Sequence, residues 1–183
     1  MLRISDRRLV WFPLLVSFAA ATPATDVPKG WHEFVSGKGG YVAYYPGSWH
    51  VLEPSLPTLY ISSFRPSEAV TAVIVPDHGA TIGVAPPPAG VTSIAQWITR
   101  DRAVTPVLSE KSFTLPRPGP NPPLRVTEVA FEPVEGPGTV SWYFDLSGHL
   151  LVANLSYWNG DPNAARFRQV LRDIVRTIAP MPR

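Results

Sequence analysis

Residues 139–158 constrain this chain more than any other stretch. Val140, Trp142, Phe144 and Leu146 alternate with Thr139, Ser141, Tyr143 and Asp145. That period of two marks a strand over 139–146 with one buried face. Ser147-Gly148 follows, a pair that tolerates positive φ in a tight turn. The return strand over 149–158, LLVANLSYW after His149, is apolar at most positions and predicts a central strand covered on both faces. Such a hairpin needs neighbours on each side. The chain offers them as short β-rich runs separated by Gly/Pro turns, over 31–35, 40–45, 50–53, 59–64, 69–75, 80–85, 107–115 and 124–132.

Two helices complete the pattern. Ile94, Trp97 and Ile98 have i, i+3, i+4 spacing within 93–103, behind Thr92 or Ser93 as N-cap. The second helix is expected to start with Asp161 as N-cap and Pro162 at N1, and to be closed by Pro180. Its apolar stripe is Phe167, Val170, Leu171, Ile174 and Ile178; Arg168, Arg172 and Arg176 recur on the opposite side and read as a solvated charged face. A chain truncated before Phe167 should not fold. The proline-rich stretches 85–90 (APPPAG) and 116–123 (PRPGPNPP) read as stiff loops. Nothing repeats, so residues 31–183 are expected to form a single domain after a short entry segment at 22–30.

The N-terminus reads as an address. Arg3, Arg7 and Arg8 precede an uncharged run at 9–21 (LVWFPLLVSFAAA), and Ala19 and Ala21 suit the −3 and −1 positions of a cleavage site. This is the layout of a secretory signal peptide over 1–21. The run is too short for a transmembrane anchor, which needs about 20 apolar residues. The expected location is therefore periplasmic or extracellular, with no integral membrane span left after cleavage. The whole chain has 16 basic and 14 acidic residues, but the signal holds three of the former and one of the latter (Asp6), so the remainder is electrically balanced. A balanced chain lacks the basic footprint of a nucleic-acid partner.

With no cysteine in the chain, disulfides, thiol nucleophiles and Cys-ligated metals are excluded. His32, His50, His78 and His149 fall in no HxH, HxxxH or HExxH spacing, and Asp77-His78-Gly79 reads as a turn. Gly47-Ser48-Trp49 is not a nucleophile elbow. Gly37-Lys38-Gly39-Gly40 lacks phosphate-loop spacing and reads as a hairpin turn. Trp97 and Trp142 fall on faces expected to be buried, which leaves Trp31 and Trp158 as exposed candidates for stacking on carbohydrate. Asn154-Leu155-Ser156 matches a glycosylation sequon but lies inside a predicted central strand. No catalytic, metal or cofactor residue is assigned, and binding residues stay undefined.

The order of elements resembles a known family. A glycine-initiated strand runs into Tyr44-Tyr45-Pro46-Gly47-Ser48-Trp49; further strands, one mid-chain helix, a four-strand run and a C-terminal helix ending at Ile178-Ala179-Pro180 follow. From Trp31 to Pro180 this resembles the PsbP/Mog-type fold. The resemblance implies an α+β domain, a central antiparallel β-sheet with helices packed on both faces. It implies action by binding other proteins and not by catalysis. Pro46-Gly47 suits the centre of a type II turn that folds Trp49 back onto the sheet. The expected function is thus an exported, non-enzymatic binding or accessory domain whose partner is another protein or an envelope assembly. A carrier of a small apolar or lipid ligand held between sheet and helix is the alternative, and a hydrolase with an unrecognised site the third reading.

Overall fold

The computed structural model describes residues 27–52, 58–66, 75–133 and 136–181. The expected signal peptide, most of the entry segment and residues 69–74 of one expected strand lie outside them. In chain order the elements are β1 (Trp31–Ser36), β2 (Tyr41–Pro46), β3 (His50–Val51), β4 (Leu59–Ser62), β5 (Ala80–Ala85), α1 (Ile94–Arg102), β6 (Val107–Leu115), β7 (Leu124–Phe131), β8 (Gly138–Leu146), β9 (His149–Tyr157), α2 (Ala164–Thr177) and β10 (Ala179–Pro180).

All pairing is antiparallel. Seven strands form one sheet in the order β3-β4-β5-β9-β8-β7-β6, and β1, β2 and β10 form a second. β9 takes the central position that its apolar sequence predicts. Its hairpin with β8 closes through Ser147 (φ 55°) and Gly148 (φ 87°), both left-handed as a two-residue primed turn requires. Leu146 pairs with His149, which fixes the register of the whole hairpin.

One face of the large sheet is closed. Trp142, Phe144, Ala153 and Leu155 pack with Phe167, Leu171, Ile174 and Val175 of α2 in one continuous core. α2 contacts both β9 and β2. Tyr41 of β2 ties the two sheets together: its hydroxyl donates to the Val84 carbonyl (2.6 Å) and accepts from the Leu59 N–H (3.0 Å). On the other face a smaller core joins Trp97 and Ile98 of α1 to Val129, Tyr143 and Val152. α1 is nine residues long. Among the described residues it does not form a helical layer over the whole of that face.

Three local expectations are corrected. α2 starts at Ala164, after a turn in which Asp161 Oδ1 accepts from the Asn163 N–H (2.6 Å), so Asp161 and Pro162 precede the helix instead of opening it. Aspartate bonds readily to the backbone two residues on, and here that holds the chain in a turn. Gly47 is not left-handed, so Pro46-Gly47 is not the centre of a type II turn. Pro46 occupies the first turn position and accepts from Trp49 N–H at 2.9 Å. Glycine is required at 47 for a different reason: a Cβ would lie 2.6 Å from the Gly30 carbonyl and 2.8 Å from His32 Nε2. β10 was not expected at all. It is two residues long and ends on a proline, which cannot donate to a ladder, so it carries no strand signal. By contrast α1 is capped as expected, with Ser93 Oγ accepting from Gln96 N–H (3.2 Å).

Candidate functional site

The register across four strands builds a distinctive patch on the face carrying α1. Thr81 pairs with Ser156, and Ser156 with Thr139; Tyr60 pairs with Gly83, Gly83 with Asn154, and Asn154 with Ser141. Directly paired residues project from the same side of a sheet, so these form two adjacent rows over β4, β5, β9 and β8. Neither row contains a charge. Nearer the edge the same face turns ionic, with Glu110 on β6 and Arg125 on β7. That is how a solvated strand face usually looks. The uncharged rows of small hydroxyls, an amide and a glycine are not of that kind.

These rows floor a trough. A concavity of about 360 Å³ is lined by Tyr60, Thr81, Gly83 and Ser156. A second, of about 440 Å³, is lined by Asp101, Val104, Phe131, Glu132 and Ser141. The two share Thr139 and Asn154 and so form one groove. Running from β4 to β7, it crosses four inter-strand spacings, or about 19 Å. Thr139 and Ser156 hydroxyls bond each other at 3.0 Å. The Asn154 side-chain amide, at the centre, has no hydrogen-bond partner among the described residues.

The acidic end of the trough is held rigidly. The Tyr143 hydroxyl donates to Asp101 Oδ2 at 2.6 Å, and Trp97 stacks edge-on against the Tyr143 ring at 5.6 Å. Burial, and then the hydrogen bond to Asp101, push the Tyr143 phenol well above its ordinary value. It remains a neutral donor that fixes the carboxylate. The corner between α1 and β6 forms the rim, where Val104 is 81% and Leu108 61% exposed. A β-bulge between Val107 and Ser109 takes Leu108 out of register.

The remaining candidates are dispersed. Among the described residues no three His, Asp or Glu side chains group as a metal site. His32, His50 and His149 sit on three different strands; His78 occupies a turn at φ 63°. Trp31 and Trp158 are half-buried, not exposed, and the Trp158 indole N–H is committed to the Val75 carbonyl at 2.7 Å. The arginine face of α2 is also not simply solvated. Arg168 Nε donates to the Tyr157 hydroxyl (3.1 Å) and its Nη1 lies 3.4 Å from Glu128; Arg176 Nε donates to the Pro116 carbonyl (3.1 Å). Only Arg172 of the three is exposed. A cleft of about 390 Å³ does lie between α1 and the sheet, bounded by Ile94, Ala95 and Ile98 but also by Glu110, Arg125 and Asp145.

No protein-family model and no curated protein sequence matches this chain. Similar solved structures include the solution structure of cyanobacterial PsbP from Synechocystis sp. PCC 6803 (9% identity, TM-score 0.41, 91% of this chain and 98% of that one). They also include protein PA94 of Pseudomonas aeruginosa, a protein of unknown function (11% identity, TM-score 0.44, 84% and 99%). A third is a Bacteroides thetaiotaomicron VPI-5482 protein (12% identity, TM-score 0.40), matched over 82% of this chain, which spans 48% of its length.

Proposed function

We propose that this protein is an exported, non-enzymatic accessory domain that docks on another protein or envelope assembly through the α1–β6 corner. The observation that carries this reading is the exposure of Val104 and Leu108, four residues apart, beside a groove of about 440 Å³ with a fixed carboxylate at its end. Large aliphatic side chains left in water next to a concave, partly polar surface are what a docking rim consists of. The test is site-specific photocrosslinking in native cells from positions 104 and 108, with Arg172 on α2 as control position. One discrete protein adduct is expected from the corner alone, and Val104→Asp or Leu108→Asp should abolish it without lowering Tm. Adducts of equal yield from position 172, or an unmodified protein from all three, would refute the reading. A lipid carrier finds weaker support, since the cleft beneath α1 sets Glu110, Arg125 and Asp145 against its apolar wall.

A further inference from the structure

We propose that the floor of the trough is a binding site for a neutral, elongated polyhydroxyl ligand, a glycan chain several sugar rings long. This goes beyond the docking reading and does not rest on it. Three observations carry it. The floor over β5, β9 and β8 presents the half-buried Thr139, Asn154 and Ser156, groups that both donate and accept, with the buried Thr81 and Ser141 beside them and no charge among the five. Asn154 is half-buried at the midpoint, its amide unpaired among the described residues. An amide of that kind gains a bidentate partner from two neighbouring hydroxyls. Among the described residues the groove is about 19 Å long, the length of a chain and not of a single small molecule.

The chemistry of the walls narrows the class further. No Lys or Arg is among the lining residues described, and Asp101 and Glu132 at one end repel anions while accepting from hydroxyls. Phosphorylated, sulfated or uronic chains are therefore disfavoured. Tyr60, half-buried, offers an apolar face to the C–H surface of a sugar ring. A peptide is disfavoured for a separate reason. The floor lies in the middle of the sheet, where backbone groups are already paired, so an extended peptide finds no edge to extend.

Gly83 provides the means of testing this. It faces Asn154 across the β5–β9 pair, and a Cβ built there meets nothing nearer than 3.6 Å. A Cβ at 83 therefore enters the trough at ordinary contact distance, and Gly83→Val carries two further methyl groups into it. The experiment is titration of the ¹⁵N-labelled protein with cellotetraose, maltotetraose and chitotetraose, followed by amide shifts. At least one tetrasaccharide should move the Gly83, Thr139 and Asn154 amides saturably, and Gly83→Val and Asn154→Ala should each weaken binding about tenfold or more. Should Gly83→Val fail to fold, Gly83→Ala takes its place. The proposal is overturned if all three sugars leave those amides unmoved, if the shifts persist in both variants, or if a neutral Gly/Ser tetrapeptide moves the same amides as strongly. Leu108→Asp, at a position that lines neither concavity, should leave the sugar-induced shifts intact, so this proposal and the docking reading fail separately.

Discussion

Replacing Glu128 by glutamine removes one charge from the closed face of the large sheet while keeping the side chain's shape. Glu128 is 6% exposed. Its carboxylate accepts from the Trp142 indole N–H at 2.8 Å, and Lys111 Nζ and Arg168 Nη1 lie 3.1 and 3.4 Å away. Burial alone raises the Glu128 pKa, but the hydrogen bonds from Trp142 and Lys111 and the charges of Arg168 and Lys111 outweigh it, holding the carboxyl below its ordinary 4.5. Turning the charge-assisted bond to Trp142 into a neutral one costs about 1 kcal/mol. The Lys111 and Arg168 side chains are 66% and 38% exposed, so each ion pair adds only the ~0–1 kcal/mol of a screened pair. Glu128→Gln should therefore lose about 1–2 kcal/mol at pH 7. Glu128→Leu, which also orphans the buried indole N–H, should lose about 2–4 kcal/mol. With an m-value near 2 kcal/mol/M, the glutamine variant's urea midpoint falls by about 0.5–1 M. The pH dependence has a definite sign. A depressed folded pKa contributes stability that is complete above 4.5 and fades as pH falls through the lower folded value. The gap between the two proteins should accordingly narrow as the pH is lowered below 4.5, as followed by tryptophan fluorescence in urea. A glutamine variant as stable as the parent at pH 7, or a gap unchanged by acid, would refute this account of the network.

Four other substitutions probe distinct parts of the fold. Leu171→Ala deletes a fully buried side chain at the α2–sheet contact and should cost about 2–5 kcal/mol by chemical denaturation. Gly47→Ala should lose about 1–3 kcal/mol because its Cβ meets the Gly30 carbonyl at 2.6 Å, whereas Gly83→Ala, with its nearest neighbour at 3.6 Å, should gain about 0.5–1 kcal/mol. Tyr41→Phe should lose about 1–3 kcal/mol with both of its hydrogen-bonded partners left unpaired. Burial, only partly offset by the bond from Leu59, pushes the Tyr41 phenol from 10.0 up to about 12. Its contribution is whole below pH 10 and is lost as pH rises toward 12, so the alkaline destabilisation of the parent should be smaller in the phenylalanine variant.

Most of the fold is legible in local pattern, and the exceptions have physical causes. The limits of β5 and β6 and the central place of β9 follow from runs of β-branched and aromatic residues bounded by turns. α1 declares itself through Ser93 and its apolar spacing. β10 is invisible because it exists only by pairing with Val42 and Tyr41 far away in sequence. The site was half visible. Thr139, Ser141, Tyr143 and Asp145 were recognisable as the second face of β8, but a polar face on one strand is normally taken as solvent-facing. What makes it a trough is register: Asn154 and Ser156 on β9 and Thr81 and Gly83 on β5 fall in line with it. Reading β9 as apolar at most positions passed over Asn154 and Ser156, the two residues that break the apolar run on the α1 face. Alternation is local; alignment of three strands is a tertiary fact.

The two faces of the large sheet are differently constrained, and this explains why one can be polar without endangering the fold. Leu171, Ile174, Val175 and Ile178 are fully buried, and Tyr41 adds a bridge to the second sheet on the same side. With most burial concentrated there, and the smaller core on the other face confined to the surroundings of Tyr143 and Val152, positions 83, 139, 154 and 156 contribute little to cohesion. They tolerate small hydroxyl and amide side chains. Binding variants in the trough and stability variants on the α2 side should then act independently, since alternate residues of one strand project to opposite faces and share no partner. Combining Gly83→Ala with Glu128→Gln should give a stability change equal to the sum of the single changes within about 0.5 kcal/mol. A larger deviation would mean that the sheet transmits packing changes from its closed face to the trough, so that whatever occupies one side is felt on the other.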